Sequence, residues 1–253
     1  MEHVFLPTNP LTSLLVGAGI IVSVWYWSKR GKVSTDGLPI AMGAIFGGFL
    51  GAKVGYFVAE APLLWSDPQF WFKMLIGKTI LGALMVGWLG VELAKWAQGE
   101  TGHLGDDFAR IIPLGIGIGR VGCMVHGCCG GIAVADLPEH SPIVSLMNSM
   151  RLASWPAPAV EIGFQLAFLA FSFSLRDNKH LLGQHFHLYL ITYGLFRFGH
   201  EFFRSTPRYP GSVFSPYMIL ALVCVIAGAI AFVFRDRGKR WAHATARQNT
   251  FET

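Results

Sequence analysis

Tyr193, Arg197, His200, Glu201 and Arg204 fall at offsets of 0, 4, 7, 8 and 11 within an otherwise apolar and aromatic stretch. In a helix that spacing places all five on one face, leaving Leu195, Phe196, Phe198, Phe202 and Phe203 on the others. Glu201 lies four residues after Arg197 and three before Arg204, so it can pair with either and hold both guanidinium groups. Four more charges, Lys53, Lys78, Arg120 and Glu161, interrupt other apolar stretches. A charged side chain in hydrocarbon costs several kcal/mol unless it faces a polar interior, which makes each a candidate for function. Lys53, Lys78, Arg120 and Arg197 against Glu161 and Glu201 leave an excess of positive charge, suited to a phosphate-bearing guest. Snorkelling of a long stem explains a lone lysine near an interface, but neither Glu161 nor the five-residue stripe. The structural alternative is an ion-pair clamp that locks a helix bundle.

The elements that must position these groups are membrane-length. Of the 253 residues 53% are hydrophobic and 14% charged, and mean hydropathy is +0.47, which excludes an ordinary soluble domain. Seven apolar stretches, at 11–27, 38–58, 74–93, 108–125, 158–175, 186–203 and 217–234, each approach the roughly 17–25 residues that cross a ~30 Å core. The expected fold is therefore all-α: one seven-helix transmembrane domain over 1–234, followed by a basic tail over 235–253. The first stretch does not read as a cleaved signal, because its basic cluster Lys29, Arg30 and Lys32 follows the apolar run.

Basic residues set the expected orientation. Twelve lie in the first, third and fifth connections and the tail, against four in the N-terminus and even connections. That places the N-terminus outside and the C-terminus inside. The pI near 9.1 then reflects cytoplasmic loops beside anionic lipid, with no nucleic-acid partner required. In this topology the six charges lie at one depth, roughly 3–9 Å below the outer boundary.

Gly43, Gly47, Gly51 and Gly55 recur every four residues on the second span, a face for close helix packing from which Lys53 points away. Gly115, Gly117, Gly119 and Gly122 surround Arg120 after Pro113, which suggests an irregular fourth span bordering a polar cavity. The connection 127–157 is long enough to be functional, and its amphipathic stretch 143–152 suits an interface. Cys123, His126, Cys128 and Cys129 cluster at its start. Three readings stand there: a disulfide from Cys123 to Cys128 or Cys129, a reactive thiol, or a soft-metal site, although the spacing matches no standard zinc pattern. Cys224 reads as a small buried hydrophobe. His185 and His187 read as ordinary polar aromatics at the inner interface.

The segment from Tyr193 to Arg204 resembles the signature Tyr-Gly-x-x-Arg-Phe-x-x-Glu-Phe-Phe-Arg of the prolipoprotein diacylglyceryl transferases. Gly119, Arg120 and Gly122 are similar to the start of that family's hallmark Gly-Arg-x-Gly-Asn-Phe-x-Asn-x-Glu-x-x-Gly, which here ends at Gly131. Pro156 with Glu161 resembles its His-Pro-x-Gln-x-Tyr-Glu element. The resemblance implies an enzyme of the bacterial inner membrane, with a site facing the periplasm and no cofactor. It would transfer the diacylglyceryl group of phosphatidylglycerol, or a similar anionic phospholipid, to a prolipoprotein lipobox cysteine. Arg120 and Arg197 are the catalytic candidates carried over, and Tyr193, Glu161, Glu201, Arg204 and Gly131 the headgroup-binding ones.

The chain departs from the pattern at several positions. Cys123, His126 and Cys128 stand where the hallmark has Asn, Asn and Glu, and Trp155, Pro158 and Val160 where the third element has His, Gln and Tyr. The family's His-Gly-Gly element has only Gly77-Lys78-Thr79 nearby. Lys78 or His126 would then serve as catalytic base. Two other functions remain open at this level: a phospholipid-binding protein on the same scaffold without catalysis, and a thiol-redox or metal protein using Cys123, Cys128 and Cys129.

Overall fold

The computed structural model describes Ile21 and residues 37–99, 104–127, 129–178 and 180–249, with side chains as far as Arg235. Eight helices follow one another in this part of the chain: α1 (Leu38–Leu64), α2 (Phe70–Ile76), α3 (Ile80–Gln98), α4 (Gly105–His126), α5 (Pro142–Ser149), α6 (Ala157–Asp177), α7 (His185–His200) and α8 (Pro216–Asn249). Five are long and apolar enough to cross a membrane: α1, α3, α4, α6 and the Pro216–Arg235 portion of α8. Among the described residues there is no strand, only the isolated bridges Gly131–Arg204 and Ala133–Ser154. The expected first span, apart from Ile21, lies outside the described residues.

Two expected spans take a different form. The sixth is α7, only 16 residues, continued by a 3-10 turn at Glu201–Phe203. The third is divided, because α2 stops at Ile76 and α3 starts at Ile80. Gly77 is extended at ψ 148°, and Lys53 of α1 donates from Nζ to the carbonyls of Leu75 and Gly77, the latter at 3.1 Å. Those are carbonyls a helix C-terminus leaves without partners, and a cation is favoured beside them. Lys53 is thus spent on capping α2. The fourth span is not interrupted: α4 runs unbroken through Pro113 and its glycines, and ends where Gly127 turns left-handed at φ 67°.

Packing follows the distribution of small residues. α1 lies chiefly against α3, α4 against α6, and α7 against α8. In the first pair the backbones nearly touch, with Gly43 and Gly51 of α1 facing the carbonyls of Gly90 and Gly82 on α3. Helices of this composition gain from such approach, because lipid chains are as apolar as leucine and add no hydrophobic drive between them. The main core joins Leu81, Leu84, Phe168, Tyr189, Tyr193 and Cys224. Large apolar side chains such as Phe46 (71% exposed) and Trp96 (80%) cover the outside, as a lipid-facing surface requires.

The opposite end of the bundle is tied by Asp106. Its carboxylate accepts the backbone N–H of Gly183 at 2.6 Å and of His185 at 3.1 Å, so a residue of α4 satisfies the N-terminus of α7. His185 and His187 are both buried within the protein. The first contacts the His180 carbonyl at 2.9 Å and the second Gln184 Oε1 at 2.8 Å.

A methyl group at Gly47 would stand 2.5 Å from the Val86 carbonyl oxygen, whereas one at Gly48 would meet nothing nearer than 3.9 Å. Gly47→Ala should therefore lose about 1–3 kcal/mol through overpacking. A lowered thermal midpoint in detergent reads this out, with Gly48→Ala as the unchanged control.

Candidate functional site

Glu161 enters in the first turns of α6, Arg120 comes from α4, Tyr193 and Arg197 from α7, and Glu201 and Arg204 from the turn that ends α7. Glu161 is fully buried. Its Oε2 lies 2.9 Å from Arg120 Nε, 3.3 Å from Arg197 Nη1 and 3.5 Å from Arg204 Nη1, and its Oε1 accepts the Tyr193 hydroxyl at 2.7 Å. Glu201 makes the second layer. Its Oε2 is 3.0 Å from Arg197 Nη2 and 3.6 Å from Arg204 Nε, and its Oε1 accepts the Thr206 hydroxyl at 2.6 Å. Three guanidinium groups around two carboxylates leave one net positive charge in a buried volume. Such a cluster persists only where each charge is matched and hydrogen-bonded. Arg197 Nε is buried with no hydrogen-bond acceptor among the described residues, so the cluster still has a donor for an anion.

The connection after α4 closes over this cluster. Gly131 N–H donates to the Trp155 carbonyl at 3.0 Å, Ile132 N–H to the Phe203 carbonyl at 2.9 Å, and Trp155 N–H back to the Ile132 carbonyl at 2.9 Å. Any side chain at Gly131 would meet the Trp155 and Phe203 carbonyls at 2.5 and 2.7 Å, so only glycine fits. These bonds hold the extended residue Arg204 beside the end of α7. Farther along, α5 is capped by Ser141, whose hydroxyl accepts from Val144 N–H at 3.2 Å. It buries Val144 and Met147 while exposing Leu146.

The sequence candidates divide accordingly. Arg120, Glu161, Tyr193, Arg197, Glu201 and Arg204 meet in one cluster, with Gly131 in the segment above it. Lys78 does not join them: the break after α2 leaves it exposed, with no hydrogen bond or ion pair among the described residues. Lys53 is absent from the cluster because it caps α2 at that break. His126 is half-buried on the last residue of α4, about 9 Å along the helix from Arg120 at ~1.5 Å per residue. Cys123 Sγ lies 3.8 Å from Arg120 Nη1, and Cys129 is exposed with φ 60°. Cys128 lies outside the described residues. Cys224 is buried in the core.

Three features escaped the sequence reading. Gln165, one turn below Glu161 and 1% exposed, accepts the Tyr189 hydroxyl at 2.9 Å; the i, i+4 spacing from Glu161 was its only signal. Glu60, beyond the expected end of the second span, accepts the hydroxyls of Tyr56 at 2.7 Å and of Tyr217, joining α1 to α8. Trp155 donates its indole N–H to His200 Nε2 at 3.0 Å.

Replacing Glu161 with alanine takes from Arg120 its carboxylate and leaves Arg197 and Arg204 to share Glu201 in a buried site, and should cost about 3–5 kcal/mol. Tyr193→Phe removes one neutral donor and should cost only about 1 kcal/mol. Denaturant titration of both variants in detergent checks the difference.

The model of the family described as "Prolipoprotein diacylglyceryl transferase" matches residues 12–234. A protein of Clostridium tetani named phosphatidylglycerol–prolipoprotein diacylglyceryl transferase is 28% identical over 227 residues, covering 86% of this chain and 90% of that protein. A second enzyme so named, from Clostridium perfringens, is 28% identical with 86% and 88% covered. One from Pectobacterium carotovorum is 26% identical with 88% of each covered. A buried arginine–carboxylate cluster at the end of an apolar helix bundle, and a match along nearly the whole length, place this chain in the prolipoprotein diacylglyceryl transferase family.

Proposed function

We propose that this protein transfers the diacylglyceryl group of phosphatidylglycerol to the lipobox cysteine of a prolipoprotein, at the outer face of the bacterial inner membrane. The supporting observation is the cluster of Arg120, Arg197 and Arg204 around Glu161 and Glu201. In the reaction a C–S bond forms as the glyceryl C–O bond breaks, and the bonding pair leaves on the phosphate oxygen of glycerol phosphate. Arg120 and Arg197 stabilise the charge that develops there, from a site shielded from water, where such donors act most strongly. Glu201, held by Thr206, orients Arg197 and Arg204, while Tyr193 and Glu161 fix the other side of Arg197. Gly131 lets the connecting segment lie close over the headgroup. The thiol must lose its proton before it attacks. His126, at the end of the helix that carries Arg120, is assigned as the base in preference to the exposed Lys78.

The proposed setting is a chain of seven spans with its N-terminus outside and the tail 235–253 in the cytoplasm. A C-terminal fusion should then be fluorescent as green fluorescent protein and inactive as alkaline phosphatase; the converse pair of readings would reverse the orientation. The isolated position of Lys78 favours one competing reading, a phospholipid-binding protein without transferase activity.

Complementation of a strain depleted of its diacylglyceryl transferase separates the two. The wild-type protein should restore growth, and Arg197→Lys, which keeps charge but loses the planar donor pair, should lower transfer in vitro by about 10²-fold. A well-expressed wild-type protein that binds phosphatidylglycerol yet restores no growth would sink the transferase reading in favour of the binding one.

A further inference from the structure

The pair formed by Trp155 and His200 has no part in the chemistry above. An indole N–H can only donate, so its 3.0 Å bond to Nε2 makes that nitrogen the acceptor and leaves the proton of the neutral imidazole on Nδ1. The ring is also fixed in plane: Phe196 stacks on it at a centroid distance of 4.9 Å, and Trp155 is itself held by Phe203 at 4.9 Å. His200 is only 5% exposed, and its Nδ1 is buried without a hydrogen-bond partner among the described residues. A buried donor with nothing to donate to is uncommon and costly, which makes a bound ligand the natural acceptor. His200 is the last residue of α7, within one helical turn of Arg197, and stands four residues before Arg204, which is extended after the closing turn.

We infer that His200, locked in its Nδ1–H tautomer by Trp155, donates a hydrogen bond to an oxygen of the phosphoglycerol headgroup beside the arginine cluster. This rests on the phosphatidylglycerol reading above. A neutral donor adds direction to headgroup binding without placing a fourth positive charge among three guanidinium groups. His200 thereby becomes a headgroup-contacting residue, and Trp155 a positioning residue that acts through it.

Two substitutions separate this role from a structural one. In His200→Asn the amide nitrogen takes the place of Nδ1 and the contact with Trp155 is lost. In His200→Gln the amide oxygen takes the place of Nε2, keeping the Trp155 bond and losing the donor. Full-length protein is titrated calorimetrically with short-chain phosphatidylglycerol, and KM and kcat are measured with a lipobox peptide as acceptor. His200→Gln should weaken Kd and raise KM by about 3–10-fold, the worth of one neutral hydrogen bond, with kcat little changed. His200→Asn should stay within about two-fold of wild type in affinity while its thermal midpoint falls. Should His200→Asn not fold, Trp155→Phe replaces it: it releases the tautomer but leaves the imidazole, so affinity should fall by about two-fold, less than in His200→Gln. The reverse order, or unchanged affinity in His200→Gln, overturns the proposal. Absence of transfer by the wild-type protein is a separate failure: it sinks the transferase reading, while the calorimetric order of the variants still decides the role of His200.

Discussion

A carboxylate cannot stay ionised in an apolar interior unless the protein replaces the water it gave up, and Glu161 sets that requirement for the whole bundle. It is fully buried, and four side chains from two other helices and the turn after them converge on its two oxygens. Each of those side chains is buried or nearly so and depends on the carboxylate in return. The positions of α4, α6 and α7 at this end are therefore coupled through electrostatics more than through shape. The same mutual dependence holds an excess of positive charge where hydrocarbon alone would expel it.

The rest of the molecule separates into parts that carry this arrangement and parts that enclose it. α1 and α3 approach so closely through glycine that their backbones form one unit, and Glu60 with Tyr56 and Tyr217 ties that unit to α8. α8 in turn lies along α7, which bears the arginines. On the enclosing side, backbone hydrogen bonds between Gly131, Ile132, Trp155 and Phe203 turn a connection with little regular structure into a cover of defined geometry. Its one demand on sequence is the absence of a side chain at Gly131.

Much of this was legible in the residues alone. The face shared by Tyr193, Arg197 and His200 follows from helical spacing, whereas the helix ends before Glu201 and Arg204 joins the cluster from an extended residue; the meeting with Arg120 and Glu161 follows from the cost of charge at common depth. Depth alone misled for Lys53 and Lys78. Hydropathy reports how far a residue lies along a span but not which way it points, and it cannot register the Gly77 break that turns Lys53 to capping. The glycines of α4 do not break it, for a related reason. Glycine permits distortion without requiring it, and α4 runs as one helix from Gly105 to His126. Contacts between residues far apart in the chain, such as Trp155 with His200 or Asp106 with His185, leave no periodic trace.

Asp106 and the start of α7 meet at one end of the bundle, and Arg120 and Arg197 meet at the other. Asp106 precedes Arg120 by fourteen positions on α4, and His185 precedes Arg197 by twelve on α7, giving rises of ~21 Å and ~18 Å from a shared origin. Their arginines arrive within reach of one carboxylate because both rises are measured from the same pin. An error of one residue at the pin would slide one guanidinium past Glu161 by ~1.5 Å, half the length of its ion pair. The alignment of the charged end is thus calibrated on the far side of the membrane-length bundle, where no charge of the cluster resides.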